Sequence, residues 1–363
     1  MDNPDFIPIA RPVIGEEEIQ AVKEALQSGM LTQGARVKGF EAGFSEYIGT
    51  RHGIATSSGT TALMAGLEAL GIGHGDEVIT TPFTFIATPN SIVFQGARPV
   101  FADIDPKTFN INPKLIEDKI TPRTKALLVV HLYGNPCDMD SIRRICREHS
   151  LLLIEDCAQA AGAEYRGNKA GSFGDLSVFS FYPTKNMTTA EGGMILTDRE
   201  DVARKARMIV NQGQSGQYEH LIIGYNYRMN EMQAALGIVQ LKKLDGMNQK
   251  RIENAMFLTR GLCKIKWVRT PEITPRSKHV FHQYTIKVED RDELLKHLNS
   301  RGIGARVYYP KPVFMQPAYQ KMGFGATLCK TSENISRHVI SLPAHPSLKK
   351  QELQTIINEI KNF

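Results

Sequence analysis

The stretch FSFYPTKNMTTAEGG, residues 179–193, sets an aromatic-flanked serine, one lysine and a glycine pair within fifteen positions. Its lysine, Lys185, follows directly on a strand-like apolar run. A long cationic side chain at the end of a buried strand has two readings. It can snorkel, its stem covering apolar surface while its head reaches water. For a lysine taken at random this is the commoner reading by at least ~10 to 1, because lysines are mostly exposed. Alternatively, its amine does covalent chemistry on a carbonyl. The surrounding chain decides.

Working outward, short apolar runs alternate with helical patterns from about residue 50 to residue 200. DEVITT (76–81), RPVFADID (98–105), KALLVVHLYG (125–134), LLLIED (151–156), LSVFSFYP (176–183) and GGMILTD (192–198) read as buried strands. Between them lie helix-period segments such as DMDSIRRICREHS (138–150), with Ile142, Ile145 and Cys146 on one face. Strand and helix in alternation predict an α/β fold, a mostly parallel sheet covered on both faces. Upstream, GEEEIQAVKEALQSG (15–29) reads as a capped helix with Ile19, Val22 and Leu26 inward and Gly29 as its stop. Downstream, residues 230–258 read as one long helix bridging into a second, smaller α+β domain. There HQYTIKV (282–288) and ARVYYP (305–310) read as strands, and residues 290–304 and 348–363 as helices. The expected division is a large domain over 1–248 and a small C-terminal domain over 249–363.

A chain of 363 residues is long for one ordinary core, so two domains are the default. Hydrophobic content of 42% and charged content of 23% are those of a soluble globular protein. No apolar run approaches the ~20 residues of a membrane span, and the start, MDNPDFIPIARP, lacks the pattern of a secretory signal. Five cysteines, odd in number and without metal-ligand spacing, argue against a disulfide framework or a metal site and suit a reducing cytoplasm. The net charge of +6 suits an anionic small molecule. The basic residues are scattered rather than striped, which gives nucleic-acid binding little support.

Ligands of such sheets gather at the carboxyl ends of the strands. LLLIEDCAQA (151–160) places Glu155 and Asp156 there, and for Asp156 a helix N-cap is the plain alternative. ATSSGTTALMAGLEALG (55–71) supplies Ser57, Ser58, Gly59 and Thr60 ahead of a helix with Leu63, Leu67 and Leu70 on one face. Free amides, small residues and hydroxyls at a helix start can cradle a phosphate, or simply cap the helix. A phosphate cradle, a carboxylate at a strand end and a lysine at another strand end are together what pyridoxal phosphate (PLP) needs. Its phosphate requires an anchor, its ring nitrogen an anion, and its aldehyde an amine.

With these residues in view, the chain resembles the DegT/DnrJ/StrS sugar aminotransferases, within fold-type I PLP enzymes. The resemblance covers nearly the whole chain. It includes RPVIGEEEI, LTQG, SSGTTAL, TPFTFIATPNSI, GARPVFADID, TPRTKALLVVHLYG, IEDCAQAAGA, GSFGDLSVFSFYPTKN, EGGMILTD, GYNYRMNEMQAALG and LPAHPSL. It implies that Lys185 bonds the cofactor's aldehyde, that Asp156 faces its ring nitrogen, and that Gln159 lies near its phenolic oxygen. It further implies Gly59, Thr60 and Ser180 as phosphate ligands and Phe85 as a ring stacked on the pyridine, although plain core packing is the commoner use of a phenylalanine. Asn226 matches a residue that in relatives reaches the neighbouring subunit's phosphate, which implies a homodimer with shared active sites. Relatives often read HYPxPLH where this chain has YYPKPVF (308–314), so Tyr308 and Phe314 replace histidines in a region that faces substrate.

The implied activity is amino transfer from L-glutamate to a keto-sugar carried on a nucleoside diphosphate, with pyridoxamine phosphate as the intermediate cofactor form. TTAEGG (188–193) slightly favours amination at C4, since C3 enzymes of the family more often read GDGG there. The family's 3-dehydratases carry histidine at the lysine position and are set aside by Lys185. Cyclitol and other keto-substrates of the family stay open, as does a regulator that binds a phosphorylated ligand without turnover. An NAD enzyme ranks last, because no G-x-G-x-x-G follows the first strand.

Overall fold

The computed structural model describes residues 6–363. Its centre is a seven-stranded sheet. The strands are β1 (His52–Thr56), β2 (Glu77–Thr80), β3 (Arg98–Phe101), β4 (Thr124–Val130), β5 (Leu152–Asp156), β6 (Leu176–Ser180) and β7 (Gly193–Thr197). In space they run β1-β7-β6-β5-β4-β2-β3. All neighbours from β6 to β3 are parallel, and β7 alone is antiparallel to both of its neighbours. The six apolar runs of the sequence are all strands. The seventh, β1, was not expected from RHGIAT, whose histidine and glycine dilute the apolar pattern.

Helices cover both faces. Alternation along β6 shows how: Leu176 and Val178 join the cluster built on Leu63 and Leu67 of helix α1 (Gly59–Ala69). Phe179 and Phe181 point the other way and meet Phe40 and Phe44 edge to face. The 138–150 segment folds as expected, with Ile142, Ile145 and Cys146 buried. The helix near the start, Glu16–Gln27, departs from expectation. It buries Glu18 and Ala25, whereas Ile19 and Leu26 are each 54% exposed. Glu18 tolerates burial because Gly15, Gln240 and Lys243 all donate to its carboxylate. The apolar stripe is therefore left as an open groove of about 590 Å³ together with Ile14, Val22 and Leu236.

A 32-residue helix, α2 (Glu231–Leu262), runs from this body into a second apolar cluster. Residues 248 and 249 fall inside it, where its contacts pass from Met247 of one cluster to Ala255 of the other. The second cluster is built around an antiparallel pair, Tyr284–Lys287 with Val339–Leu342, and the helices Arg291–Ser300 and Lys350–Lys361. Ile7 crosses over from the chain start to join it, bridging Ile303. ARVYYP is not a strand: only Arg306 makes a bridge, to Ser341. The backbone turns at Tyr309, φ 59°, which takes both tyrosines out of any sheet and towards the large body. No helix among the described residues is long and apolar enough to cross a membrane.

Candidate active site

Parallel pairing sets Asp156, the last residue of β5, opposite Val178 of β6, so the ends of the two strands lie side by side. Just beyond them is a cavity of about 550 Å³. Seven of the eight residues nominated by sequence line it: Gly59, Thr60, Phe85, Asp156, Gln159, Ser180 and Lys185. Asn226 does not. It is exposed, bridges Asn211, and precedes Tyr227, whose carbonyl accepts from the Ser57 N–H at the end of β1.

Each side chain has a local cause for its position. Ser58 caps α1, exchanging bonds with the N–H and hydroxyl of Thr61. The first-turn amides next to it belong to Gly59 and Thr60, in the part of a helix that lacks internal partners. Gly59 is required by close approach, since a Cβ there would lie 2.7 Å from Ser180 Cβ. Asp156 is not a helix cap, because no helix follows it. Its oxygens accept from Thr88 Oγ1 at 2.8 Å and from the Ala158 N–H at 3.1 Å. Burial raises its pKa above the ordinary carboxylate range, opposed by those two bonds, by Lys185 and by His131. An anion held in that setting favours a cation placed against it.

Behind Asp156, Glu155 is fully buried and accepts from the N–H groups of Gly171, Phe173 and Gly174. His131 Nδ1 accepts from the Cys137 N–H, so its Nε2 carries the hydrogen donated to Glu155 at 2.9 Å. His131, Glu155 and Cys157 are close enough together to suggest a metal site. The hydrogen bonds already occupy the imidazole and the carboxylate, and the group reads as structural support for the end of β5.

Lys185 sits in a turn that closes directly after β6, its N–H donating to the Tyr182 carbonyl. Its neighbour Asn186 donates to Asn248 of α2 and to the Val280 carbonyl, which ties the loop to α2 and to the segment ahead of Tyr284. Burial pushes the Lys185 ammonium down from its ordinary 10.5 to about 8, against the opposing pull of Asp156. A nucleophilic or proton-accepting lysine must be neutral part of the time, and this shift makes it so near neutral pH. Covalent uptake of added PLP by the cofactor-free protein, trapped with borohydride, is therefore expected to rise with pH around a midpoint of about 8. The sign follows from the neutral amine being the reactive form. A midpoint near 10.5 would show that Lys185 feels no desolvation.

Phe85 is 59% exposed although it lines the cavity, so it is not a core residue and its ring face is available to a flat ligand. Gln159 is held from both ends, its Oε1 accepting from the Tyr133 N–H and its Nε2 donating to Tyr309 Oη at 2.8 Å. Of the two residues that replace family histidines, Tyr308 lines the cavity. Phe314 does not: it is buried in a separate aromatic cluster with Phe101, Tyr319 and Phe324, where an apolar ring is the side chain that packs. Thr88, Tyr309, His282 and Gln283 also line the cavity, and sequence reasoning missed them. Thr88 had a signal, one helical turn after Phe85. His282 had none, lying far along the chain from Lys185.

The tight contact at Gly59, the buried carboxylate, the available aromatic face and the partly neutral lysine fit PLP. Fold and cavity together are of the kind that a PLP-dependent aminotransferase of fold type I requires. Comparison with known proteins agrees. The chain belongs to the DegT/DnrJ/EryC1/StrS aminotransferase family, whose sequence model it matches over residues 12–361. It is 41% identical to a protein of Geobacillus stearothermophilus named as a pleiotropic regulatory protein, over 96% of this chain and 94% of that one. It is 38% identical to the dTDP-3-amino-3,4,6-trideoxy-alpha-D-glucose transaminase of Streptomyces venezuelae, over 94% and 91%. A Streptococcus pneumoniae protein solved in PLP and PMP forms superposes with a TM-score of 0.94 at 30% identity; in the PLP form the match covers 98% of both chains.

Proposed function

We propose that this aminotransferase moves an amino group from L-glutamate to a keto-sugar carried on a nucleoside diphosphate, with C4 slightly favoured over C3, in the cytoplasm. The observation that carries the reading is the convergence of seven nominated residues on one cavity, of a size that admits a cofactor and a sugar. When bound, PLP supplies an electrophilic carbon and an electron sink. The residues do the rest. Gly59, Thr60 and Ser180 would hold the phosphate end, Asp156 would keep the ring nitrogen protonated, Phe85 would stack on the ring and Gln159 would lie near its phenolic oxygen. Lys185 Nζ would take a proton from the donor's α-carbon and deliver it to the cofactor carbon that had been the aldehyde. His282, whose pKa burial and the nearby Lys185 push well below its ordinary value, stays neutral beside this exchange.

The test is to add L-glutamate to the coloured enzyme, then present the resulting form with a panel of nucleotide-linked 3-keto and 4-keto sugars and weigh the products. Bleaching by glutamate followed by amination of a sugar is expected. A protein that keeps its colour with glutamate has another amino donor, and one that keeps it with every amino acid offered would instead be a ligand-binding regulator.

The same reading makes the enzyme a homodimer with shared sites. In support, Asn226 lies outside its own cavity, the groove along Glu16–Gln27 is uncovered, and Tyr218 and Ile223 project with 86% and 85% exposure. Lys185→Ala and Asn226→Asp, each inactive alone, should complement when mixed under subunit exchange. A mixed dimer has one doubly defective site and one intact site, so up to half of native activity returns. Proven exchange without recovery would place Asn226 in its own subunit's site.

A further inference from the structure

The segment TPFTFIATPNSI (81–92) lines the cavity with Thr84, Phe85 and Thr88 among its residues. Phe85 offers its ring, whereas the two threonines are buried, 4% and 1% exposed. Thr88 Oγ1 donates to Asp156 Oδ2 at 2.8 Å, and Thr84 Oγ1 lies 3.1 Å from Thr88 Oγ1. The direction of this chain follows from counting hydrogens. A carboxylate only accepts, and a threonine hydroxyl has a single hydrogen to give. Thr88 therefore gives its hydrogen to Asp156, and its oxygen accepts from Thr84. Two hydroxyls four positions apart thus form a chain that runs towards Asp156, each polarising the next. Valine has the same branched shape, so packing alone does not call for a hydroxyl at either position.

Thr88 is itself held in place, its N–H donating to the Phe85 carbonyl and its carbonyl accepting from Ser91 Oγ at 2.7 Å. The other oxygen of Asp156 accepts from the Ala158 N–H, so donors from two elements fix the plane of the carboxyl group. Its charged and titratable neighbours are Lys185 in the loop after β6, His131 after β4, the adjacent Cys157, and Tyr309 from the C-terminal part of the chain. Burial acts against the charge of Asp156, and the Thr88 bond is the foremost contact acting for it. We propose that Thr84 and Thr88 are positioning residues, whose hydroxyl chain keeps the Asp156 carboxylate ionised and oriented for the ring nitrogen of the cofactor. The consequence for turnover rests on the amino-transfer reading above, whereas the effect on the carboxyl group does not.

Carbon-13 NMR of the cofactor-free protein, labelled at its aspartates, reads the carboxyl group directly, and Asp156→Asn assigns its signal. Thr88→Val removes a hydrogen bond to the ionised form, so the carboxyl should hold its proton to higher pH. The titration midpoint is expected to rise by about one to two pH units. Thr88→Ser, which restores the hydroxyl, should return it to within about half a unit of native. Thr84→Val acts through Thr88 and should shift it the same way, by about half a unit or less. In the loaded enzyme, the limiting rate of bleaching by the amino donor should fall about tenfold or more in Thr88→Val, with the half-saturating concentration nearly unchanged. If Thr88→Val does not fold, Thr84→Val carries the test with the same sign.

A role confined to packing would change the melting temperature and leave the Asp156 midpoint where it was, and that result overturns the proposal. A shift in Thr88→Val that Thr88→Ser does not reverse also overturns it, because shape rather than the hydroxyl would then matter. A raised midpoint with a native bleaching rate upholds the tie to Asp156 and overturns its part in turnover. Native enzyme that no amino donor bleaches overturns the amino-transfer reading, while a raised midpoint in the cofactor-free variant still upholds the hydroxyl chain.

Discussion

Lys185→Ala is expected to remove amino transfer almost entirely while leaving the protein able to bind its cofactor. On the proposed reading the lysine has two tasks, covalent attachment and carriage of the proton, and both end at Nζ, so the loss should be on the order of 10⁴-fold or more. Retention is expected because the proposed phosphate cradle lies at the start of α1 and at Ser180, neither of which depends on the lysine. Removing a buried ammonium also relieves a desolvation cost, so folding should not suffer. Turnover and bound cofactor are measured on the same sample. Loss of both together would show that the lysine is structural, and activity near native would show that another amine does the chemistry.

Asp156→Asn comes second in size. Asparagine keeps the shape and can still accept from Thr88 or Ala158, but it carries no charge. The ring nitrogen then loses the anion that keeps it protonated, and the electron sink weakens. Turnover should fall on the order of 10²–10⁴-fold, with a smaller effect on cofactor retention. Near-normal turnover would reduce Asp156 to a local tie between the end of β5 and Thr88.

These two residues were legible in the sequence because strand ends are legible. Uninterrupted apolar runs mark β5 and β6, and the polar residue that ends each run must lie where ligands gather. Direction was harder. GGMILTD reads the same whichever way it runs, and only the pairing of Gly193–Thr197 with both neighbours shows it to be antiparallel. The stripe of Ile19, Val22 and Leu26 was legible as apolar, but periodicity does not say what covers a face, and here Glu18 goes inward instead.

ARVYYP failed for a different reason: its alternation suits a strand, and a left-handed turn at Tyr309 overrides it. The transfer at Phe314 failed because position in a motif does not fix which way a ring packs. His282 could not have been read at all, since its meaning comes from the cavity it shares with Lys185, far away in the chain.

The central claim is that Lys185, among all the lysines of the chain, bonds the cofactor. Borohydride reduction of the coloured enzyme followed by proteolysis and mass mapping tests it directly. The account predicts a single pyridoxyl label, on the peptide carrying Lys185. A label on any other lysine would contradict it.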